Sequence, residues 1–236
     1  DRLVFDFNKI SQAQFASSVS KPAARAQMAN NARRPANIPT SGKKVIVIDP
    51  GHGGHDPGNL GGVKVNGISE KNVTISAARN IKKILEASGR YKVIMTRDRD
   101  IFLKLRERSL IAHRNNADLF ISIHADAFTS SSVRGATIQN ILIDLVKQET
   151  MNLSNRFASE LAPELKKAVT VRKRSLRSAA FAVLKGIDVP SVLIEMGYLT
   201  NSTDAKLLMQ KETHDKIGRA ILNATDKYFA KNFAFN

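Results

Sequence analysis

Three apolar segments of the sequence each lead into a side chain that can bind a metal or move a proton. The three pairs are Val45–Asp49 followed by His52, Leu119–Ile123 followed by His124, and Val192–Ile194 followed by Glu195. The carboxyl ends of parallel strands lie at one edge of a sheet, where ligands bind and catalytic groups gather. If the three segments are neighbouring parallel strands, the two imidazoles and the carboxylate converge there.

Two imidazoles and one carboxylate form a common catalytic zinc set, which leaves a fourth position for water. Glu195 could complete this set, but Glu70 is the better ligand because it follows a predicted Ser69 cap in the first turn of a helix. The helix dipole there stabilises the ionised carboxylate, which is the form that binds metal. We therefore predict His52, Glu70 and His124 as metal ligands. Glu195 is then free to take a proton from water and pass it to a leaving nitrogen.

The other histidines have less support. His55 lies three residues beyond His52 and could also be a ligand, but the glycines between them do not fix both side chains. His113 and His214 fall in predicted helices, where surface or packing roles are expected. By contrast, a carboxylate directly after three buried apolar residues is costly unless it is paired, which favours a functional role for Glu195.

The elements that position these residues alternate between strands and helices. The predicted strands are 45–49, 91–96, 118–123, 136–139, 180–184 and 191–195, and the predicted helices are 69–88, 103–116, 142–168, 203–209 and 212–230. This alternation predicts an α/β protein, with a three-layer domain in which helices flank a largely parallel mixed sheet. Residues 1–42 are expected to be a strand remnant and a basic linker, and 43–236 the catalytic domain.

Composition excludes several kinds of site and partner. The chain has 236 residues and no cysteine, so any metal must be held by His and carboxylate groups. No stretch approaches the roughly 18 apolar residues of a membrane span. A net charge of +16 predicts attraction to a polyanion. The absence of Trp and of a strand with interleaved aromatic and basic residues argues against nucleic acid as that partner.

Four motifs in order resemble those of the zinc-dependent N-acetylmuramoyl-L-alanine amidases, namely DPGHGG at 49–54, EKN at 70–72, SIHA at 122–125 and VLIEMGYLTN at 192–201. The similarity runs from about Lys43 to about Lys231. It implies zinc on His52, Glu70 and His124, with Glu195 at the catalytic position. It also implies hydrolysis of the amide between the lactyl group of N-acetylmuramic acid and L-alanine. Asp126 stands where many relatives have Asn, which is expected to affect substrate contacts.

Within this family, the sequence is most similar to the periplasmic cell-division amidases, whose partners are peptidoglycan and an activator protein. The start at Asp1 without an initiator Met is compatible with a removed signal peptide. Such relatives often carry a helix that blocks the zinc site until an activator removes it. In this chain Gln139 runs directly into Asn140, where that segment would begin, so the segment is either absent from the protein or missing from this sequence.

Two other functions remain as alternatives. A zinc peptidase would cut within the stem peptide, because the same metal chemistry hydrolyses any amide. A wall-binding module without enzymatic activity would use the basic surface, and its histidines would be structural. The first alternative differs from an amidase in its products, and the second in its metal content.

Overall fold

A mixed sheet of six strands is the framework of the computed structural model, which describes residues 42–60, 68–125, 130–140, 148–178, 184 and 187–233. The strands are β1 (Lys44–Pro50), β2 (Tyr91–Met95), β3 (Leu119–His124), β4 (Ala136–Asn140), β5 (Val171–Ser178) and β6 (Ser191–Glu195). Their order is β2-β1-β3-β6-β4-β5. The first four run parallel, whereas β4 is antiparallel to β6 and parallel to β5. The predicted α/β class with a largely parallel mixed sheet is confirmed.

Helices cover both faces of this sheet. They are α1 (Glu70–Ala87), α2 (Leu105–Arg114), α3 (Gln148–Ala168), α4 (Ser202–Leu208) and α5 (Lys211–Phe233). Side chains alternate along a strand, so Ile46 and Ile48 of β1 enter the larger core with α1, α3 and α5. Val47, between them, enters a smaller core with Ala112 of α2. Each fully buried aliphatic side chain of this kind contributes about 1.5–3 kcal/mol.

Strand β5 was not predicted. Its sequence, VRKRSLRS, is basic and has few apolar residues, so it lacks the pattern that predicts a buried strand. Among the described strands it pairs only with β4, at the edge of the sheet. An edge strand tolerates charged residues, which also discourage pairing with other chains.

Some predicted features fall outside the described residues. These are the strand at 2–7, the linker up to residue 41, Asp126, the first part of the 142–168 helix, and residues 180–183 of the predicted strand 180–184. Leu184, the last residue of that predicted strand, is helical and not extended, and it is buried in the smaller core. No helix in the described part of the chain is long and apolar enough to cross a membrane.

Candidate metal centre

The loop after β1 carries His52 to the edge of the sheet. Gly51 N donates to Ile123 O at 3.0 Å, which holds the loop beside β3. Two glycines leave room for the imidazole rings. A Cβ atom on Gly51 would overlap the ring of His124, and one on Gly58 would lie 2.6 Å from His52 Cδ2. The glycines of this turn therefore have a steric role in the site.

The start of α1 differs in one respect from the prediction. Ser69 is the N-cap residue, but its side chain makes no capping hydrogen bond. Instead, Glu70 N donates to Asn59 O at 2.7 Å, and Lys71 N donates to Pro57 O at 3.1 Å. The loop itself therefore satisfies these backbone donors, and it holds the first turn of α1 close to His52.

Glu70 is 2% exposed and lies between the two histidines. Its Oε1 is 3.0 Å from His124 Nδ1, and its Oε2 is 3.1 Å from His52 Nε2. The backbone N–H groups of Ala125 and Asn59 donate to the same two oxygens, each at 3.0 Å. Four donors thus hold the carboxylate in one orientation.

The potential ligand atoms of His52, Glu70 and His124 all lie within 4.8 Å of one another. No second group of His, Cys, Asp and Glu with this spacing is found in the described part of the chain. Two imidazole nitrogens and a carboxylate oxygen match the ligands of a catalytic zinc ion, so the residues fit this metal. The structure therefore brings together the three side chains that the sequence predicted as ligands.

Glu195 lies next to this cluster. Strands β3 and β6 are parallel, with His124 opposite Glu195 in the register. The Glu195 side chain is buried, and its Oε1 accepts from Gln139 Nε2 at 3.4 Å. Burial lowers the pKa of His124, but the hydrogen bond of Glu70 and the charges of Glu195 and Glu70 raise it above its ordinary value. The expected convergence at one sheet edge is found, while the catalytic role of Glu195 stays a prediction.

Asp56 is a polar residue of the site that the sequence analysis missed. Its Oδ2 lies 2.9 Å from His52 Nδ1, and its Oδ1 accepts from Gly58 N at 3.1 Å. A metal-binding histidine commonly donates its other ring nitrogen to a carboxylate, which fixes the ring and the tautomer. Asp56 therefore directs His52 Nε2 toward Glu70. Its spacing of four residues from His52 was the available signal.

The remaining histidines lie outside the cluster. His55 stacks on Phe102, with ring centroids 4.2 Å apart. His214 is buried in α5, and its Nε2 lies 2.8 Å from Leu208 O. His113 is exposed on α2.

The pKa shifts in the metal-free site show how strongly the carboxylates stabilise protonated imidazole. Burial lowers the pKa of His52, but hydrogen bonds and charge from Glu70 and Asp56 outweigh it and raise the pKa to about 9. Burial raises the pKa of Glu70, but hydrogen bonds from His124 and His52 bring it well below its usual range. A zinc ion would replace protons here, so its affinity should increase with pH.

These shifts predict that metal-free protein loses stability as the pH rises from 6.5 to about 9. A histidine whose pKa is raised by folding stabilises the folded state fully below its unfolded pKa of 6.5. This contribution is lost as the pH rises through its folded pKa of about 9. Melting temperatures of metal-free wild type and His52→Gln across this range test the prediction. The difference between the two proteins should shrink with rising pH. A constant difference would contradict it.

Comparisons with known proteins agree with the motifs and the fold. The family described as N-acetylmuramoyl-L-alanine amidase matches residues 46–227. The amidase AmiA of Escherichia coli (strain K12) is 33% identical in an alignment covering 85% of this chain and 81% of AmiA. The amidase AmiC2 of Nostoc punctiforme has a TM-score of 0.67 at 33% identity, covering 80% of this chain and 98% of that one.

A second solved structure gives the same result. The CwlD amidase from Clostridioides difficile, in complex with the GerS lipoprotein, has a TM-score of 0.72 at 31% identity. The match covers 80% of this chain and all of that one (100%). The family match covers more than half of the sequence, and AmiA, at 33% identity, is aligned over 81% of its length. The chain therefore belongs to the N-acetylmuramoyl-L-alanine amidase family.

Proposed function

We propose that this chain hydrolyses the amide between the lactyl group of N-acetylmuramic acid and the L-alanine of peptidoglycan stem peptides. The observation that carries the proposal is the His52, Glu70 and His124 cluster at the carboxyl edge of the sheet, beside Glu195, in a member of the amidase family. In this proposal the three clustered residues hold zinc, and Glu195 is the catalytic carboxylate.

Each residue of the site has a separate task. When bound, zinc supplies Lewis-acid chemistry, because it polarises the amide carbonyl and makes water more acidic. Glu70 supplies negative charge, and Asp56 fixes the ring of His52. Glu195 accepts the proton of the attacking water and delivers it to the amide nitrogen, so that the C–N bond breaks, the lactyl group becomes a carboxylate and the stem peptide leaves with a free amino group on its L-alanine.

A cavity of about 360 Å³ adjoins the two histidines of the cluster. It is lined by His52 and His124 and by the apolar side chains of Phe102, Leu103 and Leu105. A mostly apolar cavity with a few convergent polar groups is the usual form of a ligand site. The cavity therefore supports binding of the scissile amide at this edge of the sheet.

Product analysis of digested sacculi tests the proposed reaction. We expect zinc-loaded protein to release peptides that begin with L-alanine and to leave glycan strands with free lactyl carboxyl groups. Protein treated with a chelator should release neither product, and added zinc should restore both. Shortened stem peptides with intact lactyl amides would instead identify a peptidase. Zinc-loaded protein without any cleavage would favour a wall-binding module.

The charge of +16 supports peptidoglycan and other anionic envelope material as partners. Exposed ion pairs are screened by salt, so we expect sedimentation with purified sacculi to decrease as salt is added. Binding that is unaffected by salt would contradict an electrostatic contribution. These partners fit a periplasmic location and a role in daughter-cell separation.

The junction between Gln139 and Asn140 is the proposed point of regulation. Gln139 lies near the end of β4, and its side chain donates to Glu195. A segment inserted after it would therefore leave the sheet beside the catalytic carboxylate, where it could block the site. A partner protein would relieve the block. The CwlD amidase was solved in complex with a lipoprotein, which supports partner binding in this family.

We predict that the 236-residue chain hydrolyses purified sacculi without an activator. Insertion of a blocking helix from a related division amidase at this junction should suppress that activity, because such a segment covers the zinc site. An insert of equal length made of Gly and Ser is the control. Equal suppression by both inserts, or by neither, would contradict the regulatory role of the junction.

A further inference from the structure

Two arginines are buried beside the loop that carries His52. Arg97, which follows β2, is 2% exposed, and Arg108 of α2 is 3% exposed. Removing a guanidinium group from water is strongly unfavourable unless hydrogen bonds and opposite charge compensate for it. The partners of these two side chains therefore indicate what they stabilise.

Arg108 binds the loop on both sides of Gly51. Its Nη1 donates to Pro50 O at 2.8 Å, and its Nη2 donates to His52 O at 2.9 Å. Asp49, which is completely buried, accepts from the same Nη1 at 2.8 Å and balances the charge.

Arg97 links the same loop to α1. Its Nε donates to Pro50 O at 3.1 Å, and its Nη2 donates to Gly51 O at 2.9 Å. Nη2 also lies 2.9 Å from the carbonyl oxygen of Lys71, the residue after Glu70. Arg97 thereby connects the segments of two predicted metal ligands.

The third ligand segment joins this network through Asp49. Its Oδ2 accepts from Ser122 Oγ at 2.9 Å, and Ser122 lies two residues before His124 on β3. The buried network therefore contacts all three segments that supply ligands, although neither guanidinium group contacts a ligand side chain.

The backbone of His52 requires such support. Its φ angle is 63°, and Asn116 is the only other described residue besides glycine with a positive φ. The left-handed conformation is strained for a non-glycine residue, because Cβ lies too close to the following carbonyl oxygen. The two arginines donate hydrogen bonds to the carbonyl oxygens of Pro50, Gly51 and His52, and these bonds stabilise the left-handed conformation.

We propose that Arg97 and Arg108 are positioning residues that fix the Pro50–His52 backbone so that His52 Nε2 faces Glu70, and that they thereby increase the affinity for zinc. The inference rests on the proposed metal site. Lysine cannot replace either residue, because its single ammonium group lacks the planar fork that reaches several carbonyl groups at once. Burial and the charge of Arg108 lower the pKa of Arg97 to about 10, so the guanidinium stays charged at neutral pH.

The test is the zinc dissociation constant of folded, metal-free protein, measured by competition with a chromophoric chelator. Arg97→Lys and Arg108→Lys should each weaken zinc binding about 10–100-fold, the usual effect of losing support around a ligand. Arg90→Lys is the matched control, because Arg90 is exposed and pairs with Asp226, far along the chain from the site. Its zinc affinity should equal that of wild type.

Melting temperatures of the metal-free proteins distinguish an effect on the position of His52 from a general loss of stability. A lower melting temperature with unchanged zinc affinity in the folded variants would overturn the proposal. If both lysine variants fail to fold, Thr74→Val decides, since it removes the hydroxyl that accepts from Arg97 Nη2 at 3.2 Å and donates to Gly51 O at 2.9 Å. It should weaken zinc binding several-fold, and unchanged affinity would overturn the proposal. Wild type that binds no zinc would refute the metal assignment itself.

Discussion

His52→Ala and His124→Ala are each expected to lose bound zinc and essentially all amidase activity. Each variant keeps two of the three ligands, and two ligands cannot hold the ion in a catalytic geometry. Among the described residues the metal-binding group contains only these three side chains, and Glu70 directs Oε2 to His52 and Oε1 to His124. His55 stacks on Phe102 instead of joining the cluster.

Zinc content after dialysis and release of peptides from sacculi measure these two losses. His113→Ala is the matched control, because His113 is exposed on α2 and lies outside the cluster. It should keep both zinc and activity. Circular dichroism of the metal-free variants shows whether the fold is retained. Stoichiometric zinc in both His52→Ala and His124→Ala would refute the metal assignment.

The convergence of the site was predictable because it depends on the strongest patterns in the sequence. Apolar runs as in β1, β3 and β6 predict buried parallel strands, and parallel strands place their carboxyl ends at one edge. Glu70 was predictable from the start of α1. The described bounds differed from the predicted ones by at most three residues, since terminal turns and strand ends depend on tertiary contacts.

Other parts of the site depend on contacts that are distant in the sequence. Arginine is rarely buried, so nothing local marks Arg97 or Arg108 as interior residues. Both side chains can be buried because Asp49 and carbonyl groups of the loop after β1 accept their hydrogen bonds. Serine is a common capping residue, but the Ser69 hydroxyl makes no capping hydrogen bond. Carbonyl groups of the preceding loop accept from the first N–H groups of α1 instead. Strand β5 was missed because its pairing with β4, and not an apolar pattern, defines it.

Glu195 and Glu70 are both buried carboxylates at this sheet edge, so their roles must be distinguished by experiment. Glu70 lies within 3.1 Å of ring nitrogens of both histidines, which is the position of a ligand. Glu195 lies opposite His124 in the sheet register and accepts a hydrogen bond from Gln139. These positions predict different consequences when each carboxylate is removed.

Glu195→Gln should keep zinc while turnover falls about 10²–10⁴-fold, because the amide has nearly the same shape but cannot accept the proton. The Oε1 atom of glutamine can still accept from Gln139, so the local packing should persist. Glu70→Ala should instead weaken zinc binding, and excess zinc should restore part of its activity. Turnover on sacculi and zinc affinity are measured for both variants. If Glu195→Gln loses zinc while Glu70→Ala retains it, Glu195 is the ligand and the two roles are exchanged.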